Sequence, residues 1–82
     1  MKALSRSPAM FTVCMLGVRP RLYAEQRYAE YRDAERRAKE DARLTLCAHD
    51  VYLGLRLVAT VSAPNFAGKV AVDMTDFGSR YA

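Results

Sequence analysis

Histidine occurs once in this 82-residue chain and cysteine twice, which removes most metal and nucleophile chemistry at the outset. Cys14 and Cys47 stand 33 positions apart, and Cys47 with His49 supplies two ligands where a zinc site needs three or four. A Gly-rich phosphate loop, an HExxH spacing and paired carboxylates in a recognisable motif are missing too. No cofactor and no small-molecule substrate is expected. Asp76-Phe77-Gly78 matches the metal-binding triplet of protein kinases in three letters, but nothing else of a kinase accompanies it, and we read it as chance.

Long apolar runs are equally scarce. Ala9–Val18 is the longest at ten residues, half of what crosses a bilayer as a helix. Val51–Ser62 is apolar but carries Arg56 and follows Asp50. Two charges cost about 5–7 kcal/mol on insertion, more than its Leu and Val residues return. A secretory leader fits poorly, because Val18-Arg19-Pro20 stands where a small-residue cleavage site belongs.

Acid is absent from the first two dozen residues. Lys2, Arg6, Arg19 and Arg21 all precede Glu25, the first carboxylate, and Ser5 and Ser7 lie among them. That make-up fits a mitochondrial targeting segment; a cytoplasmic protein with a basic N-terminal arm over residues 1–8 is the alternative. Arg19 and Arg21 are the residues expected to touch an anionic surface.

What the chain does have is one strong helix signal. Leu22–Leu46 contains no Gly or Pro and is dense in Ala, Glu, Arg and Lys. At about 100° per residue, Ala24, Tyr28, Tyr31, Ala34, Ala38 and Ala42 share a sector roughly 120° wide. Six acidic and six basic residues interleave elsewhere on it, and Asp33–Arg37 and Glu35–Lys39 are spaced as i,i+4 pairs. A helix whose charges cancel is a weak phosphate binder.

Around it lie strand signals. Phe, Thr and Val in Ala9–Val18 favour a strand, closed by Gly17 and Pro20. Val51–Ser62 alternates with a period of two, as does Lys69–Phe77 beyond the turn-forming Ala63–Gly68, so the pair reads as a β-hairpin. The expected fold class is α+β in a single small domain over 1–82: strand, one long amphipathic helix, then a β-hairpin, with 78–82 a frayed tail. The alternative is a mainly α chain with one helix from about residue 20 to 62.

A helix of about 25 residues is roughly 37 Å long, nearly twice a six-residue strand. Half of it should overhang the sheet. The expected function is therefore a non-catalytic accessory or assembly subunit of a larger protein complex, in particular a mitochondrial membrane complex. It would dock through Tyr28, Tyr31, Ala34, Ala38 and Ala42, with an anionic membrane surface as second partner. The alternative is a small free-standing nucleic-acid-binding module using Arg19, Arg21, Arg27 and the Tyr residues near the helix start. An enzyme built on Cys47, His49 and Asp50, or on Ser62, ranks last, since adjacent residues seldom point correctly for proton relay. His49 is read as closing a helix end, and both cysteines as reduced, buried thiols.

Overall fold

A computed structural model describes residues 10–18 and 26–81. Five strands form one antiparallel sheet in the order β2-β1-β3-β4-β5, where β1 is Phe11–Met15, β2 Arg27–Tyr28, β3 His49–Leu53, β4 Arg56–Val61 and β5 Val72–Met74. One helix, α1 (Tyr31–Thr45), lies on one face, and a 3₁₀ turn at Gly78–Tyr81 closes the described chain. The protein is α+β with the expected strand, helix, hairpin order, and a mainly α chain does not fit.

Strand alternation divides the side chains between the two faces. Phe11, Val51, Ala59 and Val61 meet Tyr31, Ala34, Ala38 and Ala42 of α1 in the core, flanked by Val13, Leu53, Val72 and Met74. Cys14, Asp50, Thr60 and Asp73 stand abreast on the opposite face, where Thr60 Oγ1 donates to Asp50 Oδ1 at 2.7 Å. The four-residue spacing of Ala34, Ala38 and Ala42 gives a flat stripe, and all three are fully buried. The sheet therefore approaches the helix backbone closely.

Two lengths differ from the sequence expectation. The helix begins at Tyr31, not Leu22. Arg27 and Tyr28 instead pair with Thr12 and Phe11 as an edge strand, so a long-range ladder overrides good local helix propensity. At 15 residues the helix is about 22 Å long, matching strands of about 17–20 Å. No overhang remains among the described residues.

The second difference is Val51–Ser62, expected as one strand. It contains a reversal: Leu53 pairs with Arg56 around Gly54-Leu55, and Gly54 takes φ 62°, the Gly-first pattern of a type II′ hairpin turn. Pairing then slips, Val51 facing Ala59 and Tyr52 facing Leu57. That leaves Val58 as a bulge residue, fully buried. Residues 78–81, expected as a frayed tail, form the 3₁₀ turn, where Tyr81 packs edge-on against Phe11 and Phe77 at 5.3 and 5.7 Å, and Arg56 covers the Phe77 ring at 3.9 Å.

Candidate interaction surface

The Tyr/Ala face expected to receive a partner is occupied by this chain's own sheet. Tyr31, Ala34, Ala38 and Ala42 are buried in the core, and Tyr28 is half-buried in β2, its hydroxyl donating to Gln26 Oε1 at 3.4 Å. The small side chains do admit a close neighbour, but the neighbour is β1, β3 and β4. Arg19 and Arg21 lie outside the described residues. Arg27 is exposed on the edge strand.

The Cys47, His49, Asp50 and Ser62 set is not assembled. His49 opens β3 on the helix side, 5% exposed, with Nδ1 3.1 Å from the Cys47 carbonyl oxygen, so it closes no helix end. Asp50 points to the opposite face, as successive strand residues must. Ser62 Oγ accepts from the Ala71 amide at 2.8 Å. Both thiols are free, but Cys47 is exposed and Cys14 half-buried, against the expectation that both are buried. Burial, and after it the Asp50 carboxylate, push the Cys14 thiol up, which leaves it protonated and a poor nucleophile at neutral pH. Among the described residues no cluster of three or more His, Cys, Asp or Glu side chains is placed to hold a metal. No helix among them is long and apolar enough to cross a membrane.

The outer helix face carries three ion pairs. Lys39 meets Glu35 at 3.1 Å as its spacing predicts, whereas Arg37 turns to Asp41 at 3.1 Å and leaves Asp33 to Arg36 at 3.7 Å. Burial works against ionisation of Glu35, but the Tyr31 hydroxyl and the Lys39 ammonium outweigh it and hold the carboxyl below its ordinary value. A lowered folded-state pKa adds stability above the unfolded value, lost as pH falls through the folded one. Glu35→Gln should therefore cost about 0.5 kcal/mol near pH 7, and the cost should shrink as the medium is made acid enough to protonate the folded-state carboxyl, a trend that urea unfolding at neutral and acid pH will resolve.

One end of the domain has a different character. The β1 turn, the α1–β3 connection and the β4–β5 connection meet there: Met15 pairs with His49, the Leu16 amide donates to the Ala48 carbonyl at 3.0 Å, His49 pairs with Val61, and Arg43 Nε reaches the Gly68 carbonyl at 3.4 Å. Bulky apolar side chains are exposed on or beside each: Met15, Leu16 and Val18 at the first, Leu44 in the last turn of α1 and Leu46 at the start of the second, Phe66 in the third. Leu44 is 81% exposed and Phe66 entirely so.

Local chemistry fixes these tips. Leu16 occupies the second position of a turn closed by the Val18 amide on the Met15 carbonyl at 2.9 Å, with Gly17 at φ 86° in the third. Asn65 organises the loop beneath Phe66. Its carboxamide oxygen accepts from the Ala67 and Lys69 amides at 2.9 and 3.0 Å, and its carbonyl accepts from the Gly68 amide at 2.9 Å. Leu46 ends the helix at φ 59°, ψ 29°, its amide donating to the Ala42 carbonyl at 2.9 Å.

That left-handed position is the usual place of glycine. A leucine there costs about 1 kcal/mol, and with 70% of it exposed no burial within the chain offsets the strain. Leu46→Gly should therefore stabilise the isolated domain by about 0.5–1 kcal/mol in urea unfolding, while thinning the apolar end.

Among the described residues 15–18, 43–48 and 62–70, Arg43 and Lys69 are the only charged side chains. Glu40 and Asp41 lie a turn back on the helix, Asp41 engaged by Arg37. An open concavity of about 640 Å³ lies at the opposite end of the helix, between Phe11, Glu30, Tyr31, Arg32, Glu35 and Tyr81; its rim mixes both charge signs. Sequence reasoning took 63–68 for a plain turn and missed the apolar end. The signal was there: Leu16 and Phe66 occupy turn positions, where a large hydrophobe has nothing of its own chain to cover it. Comparison with protein-family models, curated proteins and solved structures finds no match for this chain.

Proposed function

We propose that this chain is a non-catalytic accessory subunit of a larger, membrane-associated assembly, a mitochondrial one in the reading its acid-free N-terminal sequence favours, and that it docks through its apolar end. One observation carries the reading. Six large apolar side chains on three converging segments are exposed together, two of them on loops that hydrogen bonds hold in place. Ordered apolar tips of this kind mark a contact surface more often than chance exposure does. Docking moves from the helix face, which the core uses, to the loops.

Native size and membrane fractionation test the proposal. Leu44→Ser with Phe66→Ser should shift the chain from a high-mass, membrane-associated fraction to its free form. Leu55→Ser, at a leucine 71% exposed on the opposite hairpin, should leave it in place. Retention of the double variant in the high-mass fraction would sink the reading.

A further inference from the structure

We infer that the free edge of β5 pairs antiparallel with the same edge of a second copy, making one continuous sheet across a two-fold axis at Val72. The inference is independent of the docking reading above, since it draws on none of the side chains exposed at the apolar end.

Strand β5 closes one side of the sheet, with β4 on its inner side and no strand beyond it among the described residues. Its hydrogen bonds show which backbone groups turn inward. The Lys69 amide donates to Asn65 Oδ1, and the Lys69 carbonyl accepts from the Asn65 amide. The Ala71 amide donates to Ser62 Oγ and its carbonyl accepts from the Ser62 amide, while the Thr75 amide donates to the Val58 carbonyl. Residues 69, 71 and 75 thus face their own chain. Alternation turns the amides and carbonyls of Val70, Val72 and Met74 outward, where no hydrogen bond among the described residues meets them. Free groups in that pattern are a template for one class of ligand, another extended strand.

Three features make that strand a second copy of this one. The outward residues are symmetrical about Val72. With the axis there, Val70 meets the second copy's Met74, Val72 meets Val72, and Met74 meets Val70, three pairs of two bonds each. On the helix side all three pairs are apolar, and their side chains are only half-buried against the core, so pairing covers what the edge leaves open. On the other side the charges agree. Exposed Asp73 faces the second copy's Ala71 and has its Lys69 as a diagonal neighbour, about 7 Å off and within a lysine's reach. Moving the axis to Asp73 loses two bonds and sets two carboxylates directly opposite each other, which is destabilising. The helix sits chiefly over β1, β3 and β4, back from this edge.

Sedimentation equilibrium of the purified full chain over a concentration series should show the mass climbing from the monomer's toward twice that value, the weak self-association expected of a small interface. Val72→Pro removes the outward amide on the axis, at an edge position where proline is tolerated, and should abolish the rise. Asp73→Lys alone should weaken the dimer about threefold, and Lys69→Asp added to it should restore the dimer. Both positions are exposed, so these two changes spare the fold. Cross-linking reads the register. With Cys14 and Cys47 replaced by serine, Val72→Cys should form a disulfide dimer under a mild oxidant, the two Cα atoms being about 5.5 Å apart. Val70→Cys, which sits opposite Met74 instead of itself, should cross-link only when mixed with Met74→Cys. A chain that stays monomeric throughout the series overturns the inference, as does a Val70→Cys chain that cross-links with itself. A dimer that survives Val72→Pro but is lost in Leu44→Ser with Phe66→Ser also overturns it, and assigns self-association to the apolar end.

Discussion

Gly78→Ala should lower the stability of the domain by about 3 kcal/mol or more, a fall in melting temperature of roughly 10–20 °C for a chain of this size. A Cβ at this position would overlap the Val58 carbonyl oxygen and come within 2.6 and 2.9 Å of the Val58 carbonyl carbon and Cα. Neither side can give way cheaply. Val58 is the buried bulge residue of β4, and its carbonyl accepts from the Thr75 amide at 3.0 Å and the Thr75 hydroxyl at 2.9 Å. Gly78 is held from its own side, its amide donating to Thr75 Oγ1 at 2.9 Å, with the Ser79 amide on the Thr75 carbonyl at 2.9 Å.

Relief would lift the 3₁₀ turn off the sheet and break the contacts of Phe77 and Tyr81 with Arg56 and Phe11. The glycine here is required for space, whereas Gly54 is required for its positive φ with open space around it. Circular dichroism melting checks the difference. An unchanged melting temperature for Gly78→Ala would mean that the closing turn is not docked against β4.

The Asp76-Phe77-Gly78 triplet thus has a structural use that its letters hid. Legibility elsewhere followed the range of the forces involved. Helix over Tyr31–Thr45 was readable because propensity and amphipathic spacing are local; β4 and β5 lie within runs whose alternation is also local, and β3 overlaps the first of them but starts two residues earlier, at His49. The helix start was not readable, since residues 22–30 are good helix formers and only the ladder to Phe11 and Thr12 pulls Arg27 and Tyr28 into the sheet. Gly54 was a partial signal: a glycine inside a strand pattern marks a bend or bulge, and here it marks the reversal between β3 and β4. The apolar end was legible only through the turn positions of Leu16 and Phe66, which a hydrophobic tally passes over. Leu16, Leu46 and Phe66 count toward a core in any tally of hydrophobic residues, and only the turn geometry turns them outward.

The reassignment of the alanine stripe yields the second large effect. Ala38→Leu should destabilise the isolated domain by about 3 kcal/mol, since Ala38 is fully buried at the middle of a stripe pressed on the sheet. Three added carbons have no void to enter, so the helix must lift from β1, β3 and β4 or the leucine must adopt a strained rotamer. Leucine is nearly as good a helix former as alanine, so local propensity contributes almost nothing to the loss. Arg36→Leu, on the exposed face of the same helix, supplies the control and should stay within about 0.5 kcal/mol. Urea unfolding of the three proteins separates two meanings of a small-residue face. Packing against the chain's own sheet makes Ala38→Leu costly in the purified protein, with no partner present. Were Ala38→Leu to keep full stability yet leave the native assembly, the stripe would be a surface for another chain, and the core described above would be wrong.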